Sequence, residues 1–184
     1  MTMHAPTAAA HLSRPAPDEY DPYYERYLSH VPSGQALDRL ESQQERVTSI
    51  FGSLDERTAL HRYAPEKWSV KEVLGHLIDT ERMFTHRALR FARADATPLP
   101  GFDENTYVPA GNFDRRDVAS LLEEWRAVRA ATLAFFRGLD PEAWERRGNA
   151  NGAPASVRAL CYITAGHTDH HLGILRERYG VGSS

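Results

Sequence analysis

The segment KWSVKEVLGHLIDTER, residues 67–82, contains both a helix start and the apolar spacing of a helix. Ser69 is followed three residues later by Glu72, which forms a capping box: each side chain accepts a hydrogen bond from a free backbone N–H of the other residue. Apolar side chains then recur every three or four positions, at Val70, Val73, Leu74, Leu77, Phe84 and Ala88. We therefore predict an amphipathic helix that begins after Ser69 and continues to about Arg93.

Three further segments have the same helical period. Their predicted bounds are about Gly34 to Leu54, from after Asp114 to about Arg137, and from after Ser156 to Tyr179. In this prediction Asp114 is the N-cap of the third helix, and Gly180 ends the fourth. No stretch alternates apolar and polar residues convincingly over the length of a strand. Four amphipathic helices of similar length predict an all-α fold, a four-helix bundle.

Two connections between the predicted helices are long, namely residues 94–112 after the second helix and 138–156 after the third. The second connection contains DPEAW, residues 140–144, which we expect to form a short helical turn. Loops of such length in a compact domain are often functional or cross over a site. The first connection, with its Pro-Gly turn at 100–101, could cover one end of the bundle.

The composition is that of one globular domain without a polyanionic partner. A chain of 184 residues suits a single domain, which we place at residues 20–184, preceded by an Ala- and Pro-rich flexible arm at 1–19. The net charge of −3 gives no basic excess for nucleic acid, and no apolar run is long enough for a membrane span. A secretory signal is absent from the first residues, so we expect a cytoplasmic protein.

A second notable segment, AGHTDHHLGIL at residues 165–175, contains three histidines within a helical apolar pattern. With Val157 at 0° on a helical wheel, His167 lies at about 280° and His171 at about 320°, both on the apolar face. His170, at about 220°, lies at the edge of that face. Two imidazoles four residues apart can bind one metal ion, whereas the alternative is a pair of hydrogen-bonded core histidines. Spacing alone leaves both interpretations open.

The second helix has two further residues of interest, His76 and Glu81. His76 lies on the flank of the apolar face, where it either faces solvent or turns into the bundle. Glu81 lies in the centre of that face, about 140° from His76, so the two are not expected to bind one ion. A carboxylate in this position either accepts a hydrogen bond from a ligand histidine or forms a buried ion pair with an arginine.

The WS…GHL start of the second helix and the His-x-x-x-His of the fourth together resemble the DinB/YfiT superfamily. The resemblance extends from about Tyr20 to Tyr179. It implies a four-helix bundle, commonly a homodimer, in which three histidines hold a metal ion. Transferred to this sequence, the ligands are His76, His167 and His171, with His170 adjacent to them.

The resemblance also implies a class of chemistry. Three neutral imidazoles suit a divalent ion such as Zn, Ni or Fe, and they leave coordination positions open for water or a thiol. Members of the superfamily include thiol S-transferases, isomerases that use a thiol, and metal-dependent hydrolases. The expected partners are therefore a small-molecule thiol and an electrophile. The alternative is a non-catalytic stress-response protein or metal-binding structural module.

Several residues limit the mechanism. Thr168 stands where a zinc protease of the HExxH type has its glutamate base, so that mechanism is excluded. The connection after the second helix supplies Asp103, Glu104 and Tyr107 as candidate bases, or else these side chains simply face water. Cys161, the single cysteine, is expected to be a small buried residue and not a nucleophile. No catalytic residue is assigned by the sequence.

Overall fold

Four long helices follow the four segments predicted from the sequence. The structure, a computed structural model, describes residues 13–182. The helices are, in chain order, α1 (Glu25–Leu28), α2 (Ala36–Gly52), α3 (Glu56–Ala59), α4 (Val70–Ala92), α5 (Glu104–Gly111), α6 (Val118–Arg137) and α7 (Val157–Tyr179). Strands β1 (Arg147–Ala150) and β2 (Ala153–Ser156) form a hairpin before α7. Within residues 13–182, no helix is long and apolar enough to cross a membrane.

The start of α4 confirms the predicted capping box. The Glu72 backbone N–H donates to Ser69 Oγ at 3.0 Å, and the Ser69 backbone N–H donates to Glu72 Oε2 at 2.8 Å. The prediction of Asp114 as the N-cap of the third helix is wrong, because α6 begins at Val118 with Asp117 as its N-cap. The Asp114 carboxylate instead accepts a hydrogen bond from Ser69 Oγ at 2.5 Å, at the start of α4.

The two long connections contain more regular structure than the sequence pattern predicted. Helix α5 lies within residues 94–112. The prediction that the chain contains no strands is wrong for residues 147–156. Asn151 and Gly152 form the hairpin turn with φ values of 57° and 79°, a conformation that Asn-Gly adopts readily. Leu99 pairs with the hairpin through backbone hydrogen bonds at 2.9 Å, so the two connections hold each other. The turn predicted at DPEAW is present at Pro141–Glu145.

The long helices form a ring in the order α2, α6, α4 and α7, in which each packs against the next and α7 returns to α2. Two apolar clusters fill the interior. One includes the N-terminal half of α7 and the C-terminal half of α4, and the other includes the opposite halves of these two helices. Buried polar side chains lie between the clusters on all four helices, at Gln43, His76, Thr80, Glu81, Arg129, Thr132, Thr164, His167, Thr168 and His171. We call these residues the polar layer.

The chain before α1 contacts the rest of the fold. Residues 1–12 of the predicted arm lie outside the described residues. Glu19, in contrast, is buried, accepts a hydrogen bond from Ser156 Oγ at 2.7 Å and forms an ion pair with Arg158 on α7. The packed part of the chain therefore extends back at least to Glu19.

Candidate metal centre

Three histidines of the polar layer lie together where α4 contacts α7. One ring nitrogen from each of His76, His167 and His171 lies within 4.8 Å of the other two. His76 Nε2 and His167 Nε2 lie 3.0 Å apart. Two zinc–nitrogen bonds of about 2.0–2.1 Å in a tetrahedral site separate their nitrogens by about 3.3 Å. The three side chains predicted as ligands are thus close enough for one ion, with a small adjustment of the rings.

Burial keeps these three rings neutral at pH 7. Their residues are 6%, 4% and 8% exposed, respectively. Burial lowers the pKa of His76 to about 4. It also lowers the pKa of His167 and of His171 well below the ordinary value, and the neighbouring histidines add to the effect. Neutral imidazole is the form that binds a metal, so the donor set fits a divalent ion.

A threonine on α4 positions one of the three histidines. Thr80, one turn after His76 on α4, has its Oγ1 3.3 Å from His76 Nδ1. This contact occupies Nδ1 and leaves Nε2 to face His167, which is the usual effect of an outer hydrogen bond on a ligand histidine. Within residues 13–182, the ring of His171 forms no hydrogen bond, so its lone pair is available.

A glycine precedes the histidine on each helix, and both glycines permit a close approach. A Cβ at Gly75 would lie 2.3 Å from the Phe113 ring, and one at Gly166 would lie 2.0 Å from the backbone oxygen of Tyr27. The missing side chain at Gly166 lets α1 lie directly on α7. As a result the Tyr27 ring stands edge-on to His167, with ring centroids 5.1 Å apart.

The three histidines line a cavity of about 450 Å³. Its wall is mainly aromatic. Its other members come from residues 21–27, from α4 and Trp68 just before it, from α5 and Phe102 just before it, from the hairpin, and from α7. They include Tyr24, Tyr27, Trp68, Phe84, Arg87, Phe102, Glu104, Asn151 and His170. Trp68 packs on His76 with ring centroids 4.7 Å apart. The size and the mixture of aromatic and polar groups are those of a small-molecule site.

Glu81 belongs to the polar layer but not to the histidine cluster. Its carboxylate forms a buried ion pair with Arg129 of α6, at 2.7 Å. Of the two interpretations left open by the sequence, the ion pair with an arginine is confirmed. Arg129 also donates to Thr168 Oγ1 at 3.2 Å, so the residue that replaces a protease glutamate is directed into the core.

The other residues that the sequence marked as candidates lie outside the histidine cluster. Of the three candidate bases, Glu104 lines the cavity, whereas Asp103 caps α5 through the Asn105 N–H and Tyr107 is exposed. Cys161 is fully buried, and burial raises the pKa of its thiol, as expected for a core residue. His170 lines the cavity beside His171 without joining the cluster.

The sequence left open whether the Tyr-rich segment at 20–27 lines a pocket or covers the core, and Arg87 was not predicted as a member of the cavity wall. Tyr24 and Tyr27 precede the first predicted long helix, so no periodic pattern related them to the histidines. Arg87 follows His76 by eleven residues, which places it about 20° away on the same face of the helix. That phase was available in the sequence and marks Arg87 as a neighbour of the site.

A family model of the DinB superfamily matches residues 39–175, a span that contains all three histidines and most of the chain. The chain belongs to the DinB superfamily. Among solved structures, this DinB-superfamily chain is similar to YfiT from Bacillus subtilis, with a TM-score of 0.67 and 15% sequence identity. The similarity covers 90% of this chain and 93% of that chain. YfiT is described as a probable metal-dependent hydrolase with an unusual four-helix bundle topology. No curated protein matches the chain.

Proposed function

We propose that this chain is a metal-dependent enzyme of the hydrolase or thiol S-transferase type, and that His76, His167 and His171 bind a divalent ion. The observation that carries the proposal is the convergence of three buried, neutral imidazoles from two helices, with ring nitrogens within 4.8 Å. The adjoining cavity of about 450 Å³ supports a catalytic site over a closed structural one, because a substrate has space beside the histidines.

The protein's own groups would prepare the site for this role. A divalent ion, when bound, acts as a Lewis acid and lowers the pKa of a water molecule or thiol. Thr80 orients His76, and Arg129 holds α7 through Thr168. Trp68, Tyr27 and Phe84 limit the access of bulk water to the cluster, which would strengthen electrostatic interactions inside it. Glu104 is the carboxylate of α5 that lines the cavity, and we propose it as the group that accepts a proton.

Metal content of the purified protein is the first test. We expect one divalent ion per chain in the wild type and almost none in a His167→Ala/His171→Ala variant. His170→Ala is the matched control, because His170 lines the same cavity but stands outside the cluster, and we expect it to keep the ion. Equal metal content in all three proteins, or none in the wild type, would contradict the proposal.

Assays with and without a thiol separate the two reaction types. For a hydrolase, which is how the similar YfiT is described, we expect ester or amide turnover that a chelator abolishes and that needs no thiol. For an S-transferase, we expect an electrophile to be consumed only when a low-molecular-weight thiol is present. Glu104→Gln should lower kcat in either case while leaving metal content unchanged.

A non-catalytic module is the alternative that these assays also address. If the ion is purely structural, His171→Ala should unfold the protein, and no chelator-sensitive turnover should be found with or without thiol. We further propose that the protein is a cytoplasmic homodimer. Sedimentation of the wild type should give twice the monomer mass of 20.7 kDa.

A further inference from the structure

Arg87 is a buried cation in the same cavity as the histidines. It is 3% exposed and lines the cavity together with all three of them. Its backbone lies about 16 Å beyond that of His76 along α4, at 1.5 Å per residue. Because side chains on a helix slope back toward its N-terminus, the guanidinium leans toward the histidine end.

No carboxylate within residues 13–182 forms an ion pair with Arg87. Other cations with little exposure do have such partners: Arg129 pairs with Glu81, and Lys71 with Glu56 at 2.6 Å. Arg87 Nη2 donates to the Pro100 backbone oxygen at 3.1 Å, while its buried Nε has no hydrogen-bond partner. The guanidinium also contacts Tyr24 and lies 5.8 Å from the centre of the Phe102 ring, but none of these groups is a carboxylate. Burying a charge without a counter-ion is destabilising, so these contacts leave the charge of Arg87 uncompensated.

The cavity wall does contain carboxylates, but they do not neutralise this cation. Asp21 accepts a hydrogen bond from the Tyr23 backbone N–H at 2.8 Å, and Glu104 belongs to α5. None of the ion pairs within residues 13–182 joins Arg87 to Asp21 or Glu104. The planar guanidinium, with donors in a fixed fork, matches the oxygens of a carboxylate or phosphate.

We propose that Arg87 binds the anionic group of a small substrate or cosubstrate, a carboxylate or a phosphate, whose reacting end faces the histidines. This inference rests on the proposed function for the identity of the reacting end. It adds that the molecule carries an oxyanion at a distance from its reacting group, and that Arg87 supplies the missing half of an ion pair. The proposed binding site thus has the histidines at one end and Arg87 at the other, both on one face of α4.

Calorimetric titration of the metal-loaded protein with inorganic phosphate and with succinate tests the inference. We expect Arg87→Met to weaken the binding of at least one of these anions about 10- to 100-fold, the loss of a charge-assisted hydrogen-bonded contact. Arg82→Met is the matched control: Arg82 lies on the same helix, is exposed, pairs with Glu124 and does not line the cavity. It should change the affinity by less than about twofold.

Thermal unfolding gives a second, independent readout. Without anions, Arg87→Met should unfold at the same temperature as the wild type or higher, because an unpaired buried charge has been removed. The anion that binds the wild type in the calorimetric titration should raise the unfolding temperature of the wild type and of Arg82→Met, but not that of Arg87→Met. Arg87→Lys, which keeps the charge and loses the fork, should fall between the two.

The outcomes separate this inference from the metal proposal. If metal is bound but neither anion binds the wild type, or both bind Arg87→Met equally well, the anion site is wrong and the metal proposal stands. A lower unfolding temperature of Arg87→Met without anions would also overturn the inference, because it would make Arg87 a structural residue. If the wild type binds no metal yet shows Arg87-dependent anion binding, the proposed function fails and the anion site remains.

Discussion

At the scale of single residues, burial determines the protonation of the histidine cluster. The pKa of His76 is lowered to about 4 by burial, and burial also lowers the pKa values of His167 and His171 well below the ordinary value. In the unfolded chain the same side chains titrate near pH 6.5. The folded metal-free protein therefore binds fewer protons than the unfolded chain between about pH 6.5 and 4.

This difference predicts how stability depends on pH. Because the unfolded state takes up more protons, the free energy of unfolding of the metal-free protein should fall as pH decreases from 6.5 to 5. The slope approaches about 1.4 kcal/mol per pH unit for each histidine that is protonated only in the unfolded chain. Urea unfolding of chelator-treated protein at several pH values measures it.

Two variants of α4 control the measurement. His76→Asn removes one of the titrating groups and should make the slope shallower by about one proton. His86→Asn changes an exposed histidine of the same helix and serves as the comparison variant. A stability that does not change between pH 7 and pH 5 would contradict the assignment of three buried neutral imidazoles.

At the scale of elements, the short helix α1 reaches the site because α7 has no side chain at Gly166. A Cβ at Gly166 would lie only 2.0 Å from the backbone oxygen of Tyr27. This contact brings the Tyr27 ring against His167 and closes one side of the cavity. The approach of α1 to the histidines is thus a property of the α1–α7 pair.

Gly166→Ala should therefore destabilise the protein although alanine is the better helix former. The new methyl group must displace α1, and overpacking of this kind costs about 1–3 kcal/mol. Gly173→Ala on the same helix is the matched control, since a Cβ there meets nothing within 4 Å. It should stabilise by about 0.5–1 kcal/mol, the ordinary glycine-to-alanine effect in a helix. Urea unfolding of both variants checks that the two changes in the free energy of unfolding have opposite signs. If both variants were less stable than the wild type, this explanation would be excluded.

At the scale of the whole molecule, Arg129 connects all four long helices within the polar layer. From α6 it donates to Glu81 of α4 at 2.7 Å, to Leu40 O of α2 at 2.6 Å and to Thr168 Oγ1 of α7 at 3.2 Å. Gln43 of α2 accepts from Arg129 at 3.1 Å and donates to the Ala165 oxygen at 2.8 Å. The relative positions of α4 and α7, and hence of the histidines, depend on this network.

Arg129→Met should lower the free energy of unfolding by about 3–5 kcal/mol, because it leaves the Glu81 carboxylate buried without its cation. The double variant Glu81→Met/Arg129→Met removes both charges and should recover a substantial part of the loss. Chemical denaturation of the single and double variants measures the difference. A double variant as unstable as the single one would show that the neutral hydrogen bonds of Arg129, and not the charge pair, dominate.

Much of the architecture was predictable because its signals are local. Ser69 and Glu72 lie three residues apart and form the capping box that starts α4. Gly180 ends α7 in the left-handed conformation, with φ at 68°. The hairpin was missed, although Asn151-Gly152 is a strong turn signal, because its short strands contain Gly148 and Pro154 and do not alternate in polarity.

Local sequence patterns predicted only part of the candidate site. The spacing of His167 and His171 placed both on one face of a helix, which their neighbouring ring centroids at 4.6 Å bear out. Helical phase left His76 on a flank and did not decide whether it faces the bundle. It was the family resemblance that grouped His76 with the other two.

By itself the sequence determined that four long helices form, where α4 begins and α7 ends, and which side chains share a helical face, because caps and periodicity act over three or four residues. Only the tertiary structure decided which faces meet. It turned His76 toward His167, chose Arg129 as the partner of Glu81 from a helix 48 residues away, and left Arg87 in a cavity without a counter-ion. These pairings depend on how each helix is rotated against its neighbours, which follows from the packing of the whole core and not from any short stretch of chain.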